Sequence, residues 1–158
     1  MSAQLISEEP QRRIRPLQVS HLQQVLAIEE RAYPFPWTEG IFRDCLKAGY
    51  SGWVLADENG VIGGYALMSL AVDEAHVLNL CVDPALQRQG QGRRLLHHLV
   101  ALARAAGATI VLLEVRKSNH AAIKLYDSEG FKRLGLRKNY YPAAGGREDA
   151  LVLGFDIL

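Results

Sequence analysis

Cysteine is scarce in this sequence: two in 158 residues, Cys45 and Cys81, too few for the disulfide framework of a small secreted domain. Both fall within apolar patterns, which predicts reduced, packed thiols and suits the cytosol. Long apolar runs are missing too. None reaches the ~20 residues that span a bilayer, and the polar stretch Met1 to Arg15 lacks the apolar centre of a signal peptide, so a cytoplasmic location is expected. Charge of one sign is not in excess, with 18 Lys and Arg against 17 Asp and Glu. That balance excludes the broad basic footprint of a nucleic-acid binder, so any anion site must be local. The five histidines make no metal set: His97 and His98 are neighbours on a helical pattern and point apart, so no metal is predicted. Internal repeats are absent.

The sequence otherwise has an ordinary globular composition, 49% apolar and 22% charged, at the length of one domain. A mobile polar leader is expected over residues 1–11 and a single domain over 12–158. Ile14 to Leu17 reads as a short strand. Ser20 and Gln23 suggest a capping box for a first helix carrying Leu22, Val25 and Leu26, with Glu29 at its polar edge. Tyr33-Pro34-Phe35-Pro36-Trp37 ends that helix, because proline lacks a donor and pushes its predecessor toward extended geometry. Thr38 is suited to cap a second helix that Gly49 closes. Strands are expected over Ser51 to Ala56 and Val61 to Leu70, joined by an Asn59-Gly60 turn, with a bulge at Gly63-Gly64. Ala75 to Val82 then leads through a glycine-rich turn into a helix ending at Gly107. Thr109 to Val115 is strand-like, Asn119 to Glu129 helical, and strands at Phe131 to Leu136 and Ala150 to Phe155 flank a loop holding Asn139 to Pro142 and Gly145-Gly146. This order implies an α+β domain with a mixed sheet covered by helices.

Strand, glycine-rich turn and helix start together aim backbone N–H groups and the positive end of a helix dipole at one point, where a phosphate fits. Arg88, Arg93 and Arg94 are placed to add charge-assisted hydrogen bonds, and Gly90 and Gly92 allow close backbone approach. A third glycine for the dinucleotide fingerprint is missing, as is the Lys-Ser or Lys-Thr of a nucleotide-triphosphate loop. On these residues alone, a tight turn with solvated arginines explains the stretch equally well.

Gln87-Arg88-Gln89-Gly90-Gln91-Gly92 resembles the pyrophosphate loop of the GCN5-related N-acetyltransferase (GNAT) superfamily. Leu113-Glu114-Val115-Arg116, Ser118-Asn119, Ala121-Ala122-Ile123, Leu125-Tyr126 and Gly130-Phe131 are similar to the second half of that family's cofactor site. More narrowly, Phe35-Pro36-Trp37-Thr38, Asn79, Val82-Asp83-Pro84, Asn139-Tyr140-Tyr141-Pro142 and Gly146 to Ala150 resemble its bacterial ribosomal-protein alanine acetyltransferases. Departures are Gln91 for an aliphatic residue, Cys81 for alanine, His120 in the asparagine loop and a longer leader. The resemblance implies a twisted, mixed but mostly antiparallel sheet of about six or seven strands with about four helices. It also implies acetyl transfer from acetyl-CoA to the N-terminal alanine of a small-subunit ribosomal protein, with neither membrane nor nucleic acid engaged directly.

An α-amine, with a reference pKa near ~8, needs only a modest base near neutrality. Glu114 interrupts an apolar strand and sits at the family's base position; its structural alternative is an ion pair with Arg116, two residues on along the same face. Tyr126 sits at the position of the family's acid, where a phenol protonates the departing thiolate; by spacing alone it packs beside Ala122 and Leu125. The resemblance assigns the acetyl and pantetheine arm to backbone around Leu80, Cys81 and Val82, the pyrophosphate to Arg88, Gln89, Gly90, Gln91, Gly92 and Arg93, and a hydrogen bond to that arm to Asn119. Asn119 is also a natural helix N-cap. Acceptor contacts are expected from Tyr33, Phe35 and Trp37 on one loop and Tyr140 and Tyr141 on another. Two alternatives stay open: a lysine or small-molecule acceptor on the same fold, and a CoA-binding sensor without chemistry.

Overall fold

Alternation of apolar residues and turn chemistry build one seven-stranded sheet in the computed structural model, which describes residues 12–157. The leader expected at residues 1–11 lies outside the described residues. The elements are β1 (Arg13–Pro16), α1 (Leu22–Ala32), α2 (Glu39–Lys47), β2 (Ser51–Ala56), β3 (Ile62–Leu70), β4 (Glu74–Val82), α3 (Gln91–Ala105), β5 (Ile110–Arg116), α4 (His120–Ser128), β6 (Lys132–Ala143) and β7 (Gly146–Asp156). The spatial order is β1-β2-β3-β4-β5-β7-β6, antiparallel except where β4 meets β5. This is the expected mixed, mostly antiparallel α+β sheet. Every residue of β3 from Ile62 to Met68 is buried, because helices cover both faces. On one face α1 and α2 pack Leu22, Val25, Ile28 and Phe42 against Tyr65 and Leu67. On the other, Leu95, Leu96, Leu99 and Ala103 of α3 lie against Met68, Val111 and Leu113.

Two bulges shape the sheet's centre. Gly63 is the extra residue where Leu55 faces Gly64 and Ala56 faces Ile62, at the place the glycine pair predicted. Leu78 is the extra residue on β4, since Asn79 faces Leu67 while Val77 faces Met68. Pairing of β4 with β5 spans only Glu74 to Val77 against Ile110 to Leu113. Beyond it the strands part, leaving a cleft between Leu78–Val82 and Glu114–Arg116.

Three expectations need correction. The first helix is preceded by a 3-10 turn, Val19–His21, and the reciprocal contact lies earlier than expected: the Gln18 N–H donates to His21 Nδ1 at 3.0 Å. Glu29 is buried at 2% exposure, not at a polar edge, because Val25, Ile28, Glu29 and Ala32 share the i, i+3, i+4, i+7 face turned to the sheet. The supposed loop at Asn139 to Pro142 is strand, carried by β6 to a turn at Ala144-Gly145. A bulge conceals it from alternation: Arg137 faces Ala150 and Tyr141 faces Glu148, so Lys138 to Tyr140 oppose Asp149 alone. Asn139 takes φ 51°, and its N–H donates to Asp149 Oδ1 at 2.9 Å. Pro142 is tolerated because β6 is an edge strand.

Candidate active site

The glycine-rich side of the cleft is shaped by backbone. Asp83 receives the Ala85 N–H at 3.1 Å to close a turn after β4, and its other oxygen pairs with Arg31 at 2.7 Å. Arg88 (φ 67°) and Gly90 (φ 80°) then bend the chain in left-handed conformations into α3. Thr38 and Asn119 cap α2 and α4 with side-chain oxygens, whereas Gly90 supplies none to α3. The first-turn N–H groups of this long helix, with their dipole, are therefore available to an anion. Gly64 has a separate reason: a Cβ there would stand 2.9 Å from the Cys81 carbonyl oxygen. The resulting cavity, about 800 Å³, is lined by Leu80, Cys81, Val82, Arg88, Gly90, Gln91, Gly92, Arg93 and Asn119. Gln89 is not among its lining residues. Arg93 lines it while bonded to Glu129 at 2.6 Å and Ser128 Oγ at 3.1 Å. Asn119 fills its capping role, accepting from the Ala122 N–H at 3.2 Å. Donors, a helix terminus and cationic side chains fit a pyrophosphate here.

The aromatic side is made by side chains. A second cavity of about 590 Å³ is lined by Glu29, Tyr33, Phe35, Trp37, Asn79, Glu114, Tyr126 and Tyr141. Glu114 is 12% exposed, with His76 Nε2 at 3.5 Å and Arg137 Nε at 3.6 Å. The alternative pair with Arg116 does not form. Arg116 instead donates to the Pro142 carbonyl at 2.7 Å and to Glu148 at 3.1 Å, with its guanidinium 4.5 Å from the Tyr141 ring centre and 5.6 Å from that of Phe35. It thus ties the two aromatic segments together. Glu148 also accepts from the Ser118 N–H at 2.9 Å, and its hydrogen bonding to Ser118 and Arg116 holds its pKa below the usual carboxylate range. Tyr140 does not line the cavity; its phenol packs 5.0 Å from that of Tyr141, and hydrogen bonding to Glu114 raises its pKa.

The two cavities share Tyr33, Pro34, Phe35, Leu80, Arg116, Asn119, Ala122 and Tyr126 as lining, whereas the glycine-rich turn belongs only to the first and Glu114 only to the second. Tyr126 stands at the junction, packed 5.5 Å from Phe131, and burial raises its pKa well above that of a free phenol. Burial likewise raises Tyr33 and pushes Tyr141 up to about 12. Cys81, pushed up to about 11 by burial, stays a thiol rather than a thiolate near neutrality. The adjacent histidines do diverge: His97 bonds Glu129, while His98 packs edge-on against Trp53 at 4.3 Å. Among the described residues, no three His, Cys, Asp or Glu converge as a metal set, and no helix is long and apolar enough to cross a membrane.

Glu29, Asn79, Tyr65, Arg116 and Glu148 are site neighbours that the sequence reading did not assign. Glu29 had a signal, its place on the apolar helical face; Arg116 and Glu148 lie within motifs that carry the family resemblance, but their pairing spans two strands and has no local signal.

A strand that parts from its neighbour beside a glycine-rich helix start suits an elongated cosubstrate with an anionic end, and the chain belongs to the acetyltransferase (GNAT) family, whose pattern matches residues 22–131. It is 42% identical to the [ribosomal protein bS18]-alanine N-acetyltransferase of Escherichia coli K12, over 91% of this chain and 97% of that protein. The same-named protein of Haemophilus influenzae is 34% identical over 89% of this chain and 95% of its own length. The crystal structure of the ribosomal-protein-S18-alanine N-acetyltransferase from Escherichia coli superimposes with a TM-score of 0.85 at 41% identity, covering 92% and 93% of the two chains.

Proposed function

We propose that this chain, as one cytoplasmic domain spanning 12–158, transfers acetyl from acetyl-CoA to the α-amino group of the N-terminal alanine of ribosomal protein bS18. The observation that carries the reading is the shared wall of the two cavities: the cavity beside the glycine-rich turn and an acidic aromatic one meet at Tyr126, with Glu114 on the aromatic side. Full-length similarity to enzymes named for that reaction supports the acceptor. Arg88, Gly90, Gln91, Gly92 and Arg93, with the adjoining Gln89, hold the pyrophosphate; Asn119 and the backbone of Leu80 to Val82 hold the arm and face the thioester oxygen. Tyr33, Phe35, Trp37 and Tyr141, backed by Tyr140, hold the peptide end.

Glu114, directly or through one water, takes the proton of the α-ammonium. The freed nitrogen attacks the thioester carbon, and backbone donors on β4 stabilise the oxygen as it gains charge. As the C–S bond breaks, the thiolate takes the proton of Tyr126; the second proton of the nitrogen passes through water to the Tyr126 oxygen, leaving amide, thiol and a protonated Glu114 that releases its proton to solvent. Burial keeps Tyr126 a neutral phenol near neutrality, so its hydroxyl is available to hydrogen-bond to the sulfur and to give up its proton as the C–S bond breaks. The test pairs an alanine-first peptide containing lysine with the same peptide blocked at its α-amine, each incubated with acetyl-CoA and sequenced by tandem mass spectrometry. Acetyl on the free α-amine alone is expected; acetyl-lysine in both overturns the assignment, and no product from either favours a small-molecule acceptor or a sensor.

A further inference from the structure

Glu29 is the one charged residue buried in the described core, and burial of a carboxylate is costly unless donors engage both of its oxygens. Three segments meet that requirement. Oε1 accepts from the Tyr65 hydroxyl of β3 at 2.6 Å and from Asn79 Nδ2 of β4 at 3.0 Å, while Oε2 accepts from the backbone N–H of Trp37 at 2.9 Å. The last contact fixes the aromatic loop, whose Pro34 and Pro36 cannot donate backbone hydrogen bonds. Asn79 follows the Leu78 bulge where β4 leaves β5, so the same carboxylate holds both the loop and the parting strand that wall the aromatic cavity. From this geometry we infer that Glu29 is a positioning residue for the acceptor: its carboxylate sets the wall against which the peptide end lies, without touching the reacting atoms. The inference rests on the acetyl-transfer reading.

Glutamine shows why charge and not size is required. An amide offers one acceptor and one donor, so it either faces the Trp37 N–H with its own NH2 or turns and obliges Asn79 to flip. Steady-state kinetics of Glu29→Gln should show a peptide KM raised about tenfold, the size of one lost bond to a charged acceptor, with kcat and acetyl-CoA Kd changed less than about threefold. Tyr65→Phe, which removes one bond and leaves the Trp37 contact, should give a smaller rise in the same direction. Amide hydrogen exchange at Trp37, read without substrates, should be faster in Glu29→Gln and near wild type in Tyr65→Phe. Equal losses in kcat, KM and cofactor affinity would mean a merely structural role and overturn the inference, as would an unchanged KM with unchanged Trp37 exchange. If the wild type does not acetylate the peptide, the acceptor assignment fails, and the Trp37 exchange still decides whether Glu29 holds the loop.

Discussion

On the glycine-rich side of the cleft the walls are main chain, a bare helix start and small residues, drawn mostly from Leu80 to Arg93 with the start of α4. On the aromatic side they are large side chains from α1, the loop after it, β4, β5, α4 and β6, locked by Glu29 and Arg116. A site made of backbone depends on what is missing, such as the Cβ of Gly64, whereas a site made of side chains depends on charges and rings that each have a partner. The halves should therefore fail differently when altered.

The largest separation is expected where they meet. Glu114→Gln and Tyr126→Phe should each lower kcat about a hundredfold or more, while calorimetry finds acetyl-CoA affinity within about twofold of wild type. Unchanged turnover in both would remove the acid and base assignments. Next comes Gly64→Ala, whose methyl would stand 2.9 Å from the Cys81 carbonyl and 3.2 Å from Leu55. Overpacking of this kind costs about 1–3 kcal/mol, to be read as a lowered denaturation midpoint accompanied by weaker acetyl-CoA binding. A variant as stable as wild type would show that β4 yields freely there.

Arg116→Ala tests the opposite half. Losing its carbonyl bond, its ion pair and its stacking on Tyr141 and Phe35 should raise peptide KM about tenfold and leave acetyl-CoA Kd near wild type. An effect on cofactor binding alone would reverse the division drawn between the cavities. The smallest change is expected from Arg88→Ala, about a threefold to tenfold weakening of acetyl-CoA binding that shrinks as salt rises, because one partly solvated cation contributes modestly beside backbone donors.

The same division governs what was legible in the sequence. The glycine-rich turn and α3 are contiguous, and their physics is local, so residues 87–92 announce a turn into a helix, and the resemblance adds the proposed pyrophosphate site. The Thr38 and Asn119 caps and the Gly63 bulge were legible for that reason. Glu29 was misplaced because a glutamate suggests solvent, although its helical spacing points inward. The alternative pair of Arg116 with Glu114 does not form, because same-face neighbours on a strand need not pair when β6 and β7 bring Pro142 and Glu148 closer. The strand through Tyr140 and Tyr141 was hidden by its bulge and proline. Long-range pairing, which carries no local signal, hid the partners of Arg116, and it is also what builds the aromatic cavity.

The most direct test is a crystal structure with CoA joined through an acetyl bridge to the nitrogen of an alanine-first peptide. The peptide chain should lie between the Tyr33–Trp37 loop and Tyr141, with its nitrogen bonded to Glu114 directly or through one water and the sulfur beside the Tyr126 hydroxyl. A conjugate whose sulfur lies away from Tyr126, or whose peptide leaves the aromatic cavity empty, would contradict the account.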